Sequence, residues 1–213
     1  MKPRWFVVIL PFMLSGLYLR AQELYITGLG GYTFQNTINL NDVVIHVRNS
    51  AHYGVSLEGV SEQGVGLEFL YQRQQTHAPV YSKSSPEELL TSKDDVTVSY
   101  FMLNPVIYIK ASPTIKPYLG LGIGVGLLDT DAATASGNKA YSSSQTKFTW
   151  DAKAGVRFSL SQVFSVKVQT QVYGVSNVNG QGLYYAEASS FWLYQFGFSA
   201  GVCYRFFKSK PKL

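Results

Sequence analysis

The chain has 213 residues, of which 46% are hydrophobic and only 15% charged, with 13 Phe, 15 Tyr, 3 Trp and 19 Gly. Soluble domains average about 25% charged residues, so the composition is poor in charge and rich in Tyr and Gly; the apolar content excludes disorder, and a single cysteine, Cys203, excludes a disulfide scaffold. The formal charge of +5 shrinks to +2 once Lys2, Arg4 and Arg20 are set aside, and Lys208, Lys210 and Lys212 crowd the last residues. No basic stripe runs through the body, so no nucleic-acid partner is expected.

Residues 1–21, MKPRWFVVILPFMLSGLYLRA, begin with a basic pair and continue in an uncharged apolar run from Trp5 to Leu19. That run is short of the roughly 20 residues a transmembrane helix needs, and Pro11 weakens it further. The segment reads as a signal peptide cut between Ala21 and Gln22. The alternative, a buried core helix, is at odds with the charged start and the polar change after Arg20. The expected organisation is a signal peptide over 1–21, a barrel over 22–207 and a basic tail over 208–213.

The remainder alternates with period two, the mark of strands with two unlike faces. Strands are predicted at 23–34, 52–60, 64–75, 95–109, 116–129, 146–159, 164–175 and 191–207. Gly28, Gly30 and Gly31 blur the phase of the first. Asn104-Pro105 marks a bulge in the fourth, because proline donates no ladder bond. The fifth sets Leu119, Leu121, Ile123, Val125 and Leu127 against Gly120, Gly122, Gly124 and Gly126. In the sixth, Phe148, Trp150, Ala152, Ala154, Val156 and Phe158 oppose Asp151, Lys153, Gly155 and Arg157. The seventh opposes Val166, Val168 and Val172 to Ser165, Lys167, Gln169 and Gln171. In the eighth, Trp192, Tyr194, Phe196, Phe198, Val202, Tyr204 and Phe206 oppose Gln195, Gly197, Ser199, Gly201, Cys203 and Arg205. Long polar connections (35–51, 76–94, 130–145, 176–190) alternate with short ones (61–63, 110–115, 160–163), so all long loops leave one end of the sheet. Ser85-Pro86-Glu87-Glu88 carries an N-cap, a proline at N1 and a glutamate at N3, predicting a short surface helix in the second long loop.

A soluble barrel puts apolar residues inside and charge outside; a membrane barrel does the reverse. The non-apolar faces here are Gly, Ser and Gln, with few charges, too few for a water-exposed wall. Aromatics cluster at both ends of the apolar faces: Tyr53, Phe148, Trp150, Trp192 and Tyr194 towards the long loops, Phe158, Phe164, Tyr204 and Phe206 towards the short turns. Two such belts match two membrane interfaces. The predicted fold is therefore all-β, an eight-stranded antiparallel up-and-down transmembrane β-barrel.

Pro117-Tyr-Leu-Gly-Leu-Gly-Ile-Gly, Ala154-Gly-Val-Arg-Phe158 before a short turn and a last strand closing in Tyr204-Arg-Phe206 resemble the small eight-stranded outer-membrane β-barrel proteins of Gram-negative bacteria, the porin-like or OmpA/OmpX-type family. The resemblance implies an outer-membrane location, contact with lipid and lipopolysaccharide, and insertion by the outer-membrane assembly machinery, for which an aromatic strand end looks like the signal.

Eight strands enclose a space that side chains fill, so a wide pore is not expected. Inside, Glu58, Glu68, Asp151, Lys153, Arg157, Lys167 and Arg205 are predicted to form an ion-pair network, because Arg157 and Lys167 face each other across a hairpin and need counter-charges. His46, His52 and His77 fall near the long-loop end, with Asp42, Asp94 and Asp95 close in sequence, but they lack metal-ligand spacing, and no G-x-S-x-G occurs. The Gly run at 120–126 is not a nucleotide-binding fingerprint. No catalytic residue, metal or cofactor is therefore assigned. The expected role is structural or interactive, through four long loops that meet an extracellular ligand or host surface. A narrow porin-like channel and an outer-membrane surface enzyme are the alternatives.

Overall fold

The computed structural model describes residues 22–39, 43–84, 88–90, 95–109, 112–133, 139–179 and 190–209. The segment read as a signal peptide and the last four tail residues lie outside them. Eight antiparallel strands close on themselves: β1 (Glu23–Thr33), β4 (Ser50–Val60), β5 (Val65–His77), β8 (Asp95–Tyr108), β9 (Ile115–Ala133), β10 (Lys139–Ser159), β11 (Phe164–Asn179) and β12 (Ser190–Lys208). Their order around the barrel is β1-β12-β11-β10-β9-β8-β5-β4. Closure removes every free sheet edge, which is the condition for strands to sit in lipid.

The polarity of the wall is inverted, as the scarcity of charge and the two aromatic belts predict. Leu121 is 69% exposed, Val168 46% and Phe198 48%, whereas Lys153 and Gln169 are each 3% exposed. Because successive side chains of a strand point to opposite faces, this one fact fixes the direction of every neighbour. It also settles β1: Tyr25, Thr27 and Leu29 turn inward, and the inward Gly31 leaves the space that the His52 ring fills.

The wall is not of even height. β9 and β10 run 19 and 21 residues and stay paired from Phe158↔Ile115 to Lys139↔Ala133, where about 9–11 residues suffice to cross a bilayer. The third long connection is thus mostly hairpin. On the opposite side β1 and β4 have 11 residues each. Above that low side lies a second sheet, absent from the sequence reading, of β2 (Asn36–Asn39), β3 (Val43–Val47), β6 (Val80–Ser82) and β7 (Glu88–Leu90), in the order β2-β3-β6-β7.

Two local expectations are corrected. Glu88 opens strand β7, paired with β6, so no helix continues through it; residues 85–87 of the expected helix lie outside the described residues. Asn104-Pro105 forms no bulge. The β8–β9 register is the same on both sides of the pair, at Leu103↔Ile123 and Val106↔Gly120, with no pairing at the two residues between. The ladder to β5 continues through both. Pro105 has no N–H to give, and the Asn104 side chain reaches into the hollow over Gly122, so the strand loses its β9 partners there without gaining a residue. The register shifts in the barrel walls fall elsewhere, at Leu24/Tyr25, at Lys139/Tyr141 and at Val175/Val178, the last beside Asn177 in the left-handed region (φ 50°).

Candidate functional site: the filled lumen

At the short-turn end the lumen is ionic. Glu58 on β4 and Glu68 on β5 face each other across a ladder pair and are fully buried. Two carboxylates this close repel unless cations lie between them. Lys167 on β11 does so, with Nζ 2.9 Å from Glu58 Oε2 and 2.8 Å from Glu68 Oε1. Arg157 pairs with Glu58 on one side. Lys153 pairs with Glu68 on the other, at 2.6 Å, and lies 3.4 Å from Asp151. Asn104 fits when its amide donates to Asp151 Oδ1 (2.6 Å) and accepts from Lys153 Nζ (2.7 Å); the opposite orientation leaves its oxygen against a carboxylate. Three cations and three anions therefore balance in a group that is almost wholly buried.

Aromatic rings hold the cations in place. Arg157 lies between the rings of Tyr25 and Tyr108, at 4.2 and 4.6 Å from their centroids, and Lys167 lies 4.9 Å from that of Tyr118. Tyr108 also donates to Glu58. The glycine face of β9 makes the room. A Cβ on Gly122 would sit 1.5 Å from the Asn104 side-chain amide and 2.1 Å from Asp151 Oδ1, and one on Gly120 would meet the Lys153 stem at 3.1 Å.

Arg205 stands apart from this group. It pairs with Glu23 and donates to the Gln162 carbonyl at the rim. The reason is barrel closure: the β1–β12 ladder sets Tyr25 opposite Arg205, which brings Glu23 within reach.

Above the ions the lumen is neutral. Tyr118 donates to Gln169, Gln169 to Gln171 (both 2.7 Å), and Gln171 and Tyr173 to Gln72 (both 3.1 Å). Tyr100 and Tyr173 stack, with centroids 4.3 Å apart and planes 6° from parallel, and Tyr100 donates to Gln195. His52 is a lumen residue here, with Nδ1 3.0 Å from Thr33 Oγ1 and Nε2 2.8 Å from Ser199 Oγ.

Higher still the interior becomes apolar. Val96, Val98, Leu128, Val175, Val178 and Leu193 line the barrel, and Ile38, Ile45 and Val47 from the small sheet pack into the same cluster. Burying three such side chains contributes roughly 1.5–3 kcal/mol each. The small sheet is also tied to the wall: Asn36 donates to the Tyr194 carbonyl at 2.6 Å, and Phe34 stacks on Phe196 at 5.6 Å. It lies as a plug over the loop-end mouth.

The histidines considered for catalysis are dispersed. His52 is inside the lumen, His46 on β3 lies against Thr37 and Tyr81, and His77 ends β5 on the exposed side. Asp42 and Asp94 lie outside the described residues. Among the described residues no cluster of His, Cys, Asp or Glu could hold a metal ion. The aromatics expected at the wall ends are on the outer face: Tyr53, Phe148, Phe158, Phe164, Trp192, Tyr194, Tyr204 and Phe206 are exposed. Trp150 is half-buried because its indole lies in the hollow left by Gly174.

Comparison with known proteins agrees with this architecture. No curated protein matches the sequence. Among solved structures, OprG from Pseudomonas aeruginosa superposes with a TM-score of 0.64 at 15% identity, over 88% of this chain and 97% of that one. Neisserial surface protein A gives 0.59 at 13% identity, over 86% and 97%. Ail, the attachment invasion locus protein of Yersinia pestis, gives 0.50 at 14%, over 88% and 99%. At these identities the likeness is one of fold alone. The family model for the outer membrane protein beta-barrel domain matches residues 10–206. The chain therefore belongs to that family, and is an outer-membrane β-barrel of the Gram-negative cell envelope.

Proposed function

We propose that this barrel is a closed anchor that presents its long loops to the outside, with a structural or surface-interaction role and no solute passage. One observation carries the reading: between a cavity of about 500 Å³ at the short-turn mouth and the loop end, the lumen is filled, by Glu58, Glu68, Lys153, Arg157 and Lys167 below and by Ile38, Ile45 and Val47 above. A conducting pore needs a continuous wet path, and a buried apolar cluster interrupts one. The ion pairs hold the short-turn half together, because each charge would cost several kcal/mol if left alone there.

The short turns then face the periplasm, the rim of β9–β12 stands among lipopolysaccharide head groups, and the strand end at Phe206 is the element read by the assembly machinery. No catalytic step is proposed, since the histidines do not converge. The test is planar-bilayer recording of the refolded protein. The reading expects no conductance steps above the bare bilayer. Regular, reproducible steps would replace it with the narrow-channel alternative.

A further inference from the structure

The small sheet has a second face. Ile38, Ile45 and Val47 point into the plug, so by strand alternation Thr37 and His46 point away from the barrel. On that side Gln35, His46, Arg48, Asn49, Pro79 and Tyr81 line a cup of about 470 Å³. Its ionisable groups are one guanidinium, one imidazole and one phenol; among the described residues no carboxylate lines it. Arg48 is exposed, while its backbone is fixed: its N–H donates to the His77 carbonyl (2.9 Å) and its carbonyl accepts from Thr76 Oγ1 (2.6 Å). The His46 N–H donates to the Pro79 carbonyl (3.1 Å). Thr37 occupies His46 Nδ1 (3.0 Å), so Nε2 is the ring nitrogen left to meet a ligand. The Tyr81 ring stands edge-on to His46, with centroids 5.4 Å apart.

We propose that this cup binds an acidic saccharide, with a sulfate, phosphate or carboxylate held by Arg48 and His46, the sugar ring against Tyr81, and hydroxyls met by Gln35 and Asn49. A planar guanidinium suits a multi-oxygen anion. An aromatic ring offers the apolar body and polar tip that a sugar face needs. The backbone ties mean that little ordering accompanies binding. The proposal rests on the reading that the loops are the interaction surface, but not on whether the lumen conducts.

The test uses the refolded barrel in detergent micelles and calorimetric titration with three probes: a sulfated, uronic-acid tetrasaccharide, its desulfated and carboxyl-reduced neutral form, and the phosphorylated core oligosaccharide of lipopolysaccharide. At least one anionic probe binds, and the neutral form binds at least about tenfold more weakly. Arg48→Ala weakens the bound probe by about tenfold or more, the size expected for a lost charge-assisted hydrogen bond. Tyr81→Ala weakens it severalfold, and Tyr81→Phe leaves it within about twofold, since the ring face is kept. Preference for the tetrasaccharide assigns the cup to a foreign surface, and preference for the core oligosaccharide to the cell's own. Each variant is checked for the heat-dependent gel shift of a folded barrel, and Arg48→Gln replaces Arg48→Ala if the latter fails to fold. Failure of both anionic probes to bind at millimolar concentration, equal binding of the neutral form, or full affinity in the Arg48 variant would overturn the proposal. None of these results alters the conductance test, so the cup and the closed-barrel reading fail separately.

Discussion

The two halves of the lumen fill similar space by opposite means. Near the short turns, three cations and three anions are packed among tyrosines. Towards the loops, amides, one imidazole and then aliphatic side chains do the filling. The lower half gains its hold from long-range charge balance and loses much when one partner is removed, because the survivors stay buried and unpaired. The upper half gains its hold from many short-range terms, each of which can be lost at modest cost. A barrel built this way is locked at one end and adjustable at the other, and the adjustable end carries the loops.

Substitutions can break that contrast or sharpen it. The largest effect belongs to Glu58→Gln combined with Glu68→Gln, which strands Arg157 and Lys167 and leaves Lys153 only Asp151, 3.4 Å away, as a counter-charge. A loss on the order of 3–5 kcal/mol or more is expected from the urea midpoint in lipid vesicles. An unchanged midpoint would mean that the ions are merely tolerated. Next is Ile45→Ala in the plug, at about 2–5 kcal/mol of local stability. Limited proteolysis within 36–47 should accelerate while the barrel's gel shift is retained; equal loss of both would show that plug and barrel fold as one unit. Gly122→Ala should cost about 1–3 kcal/mol through overpacking against Asn104 and Asp151. Gly28→Ala, whose Cβ meets nothing within 4 Å, should change the midpoint little, so similar costs at the two sites would contradict the filled-lumen account. The smallest effect is that of Tyr100→Phe, about 1 kcal/mol for the bond to Gln195. A loss as large as that of the glutamate pair would place the lock in the upper half instead.

Much of this was legible in residue order. Alternation places all eight wall strands, because a lipid-facing row and a lumen-facing row of different chemistry leave a period of two. It also sets Glu58, Glu68, Lys153, Arg157 and Lys167 on the non-apolar face, which the scarcity of charge and the aromatic belts turn inward. Three things are not legible that way. β8 is apolar on both faces, with Val96, Val98, Met102 and Val106 inward and Phe101, Leu103 and Ile107 on the outer side, so its phase carries no signal until Asn104 is seen buried beside Glu68. The small sheet joins two loops far apart in sequence. The β-branched run Val43-Val-Ile-His-Val47 is its local mark, but such a run is too short to cross a membrane and its partner cannot be inferred. Arg205 finds Glu23 because first and last strands meet, a contact that depends on closure rather than on neighbours in the chain.

A double-mutant cycle on Glu68 and Lys153 tests the charge-locked lumen most directly, since the 2.6 Å pair is buried on both sides and the cycle isolates the pairwise contribution. Urea unfolding would be followed for Glu68→Gln, Lys153→Met and the two together, in lipid vesicles of fixed composition. A mutually paired lumen predicts that the double variant loses clearly less than the two single losses added, by on the order of 1–3 kcal/mol. Strict additivity would mean that the two charges do not sense each other, and would contradict it.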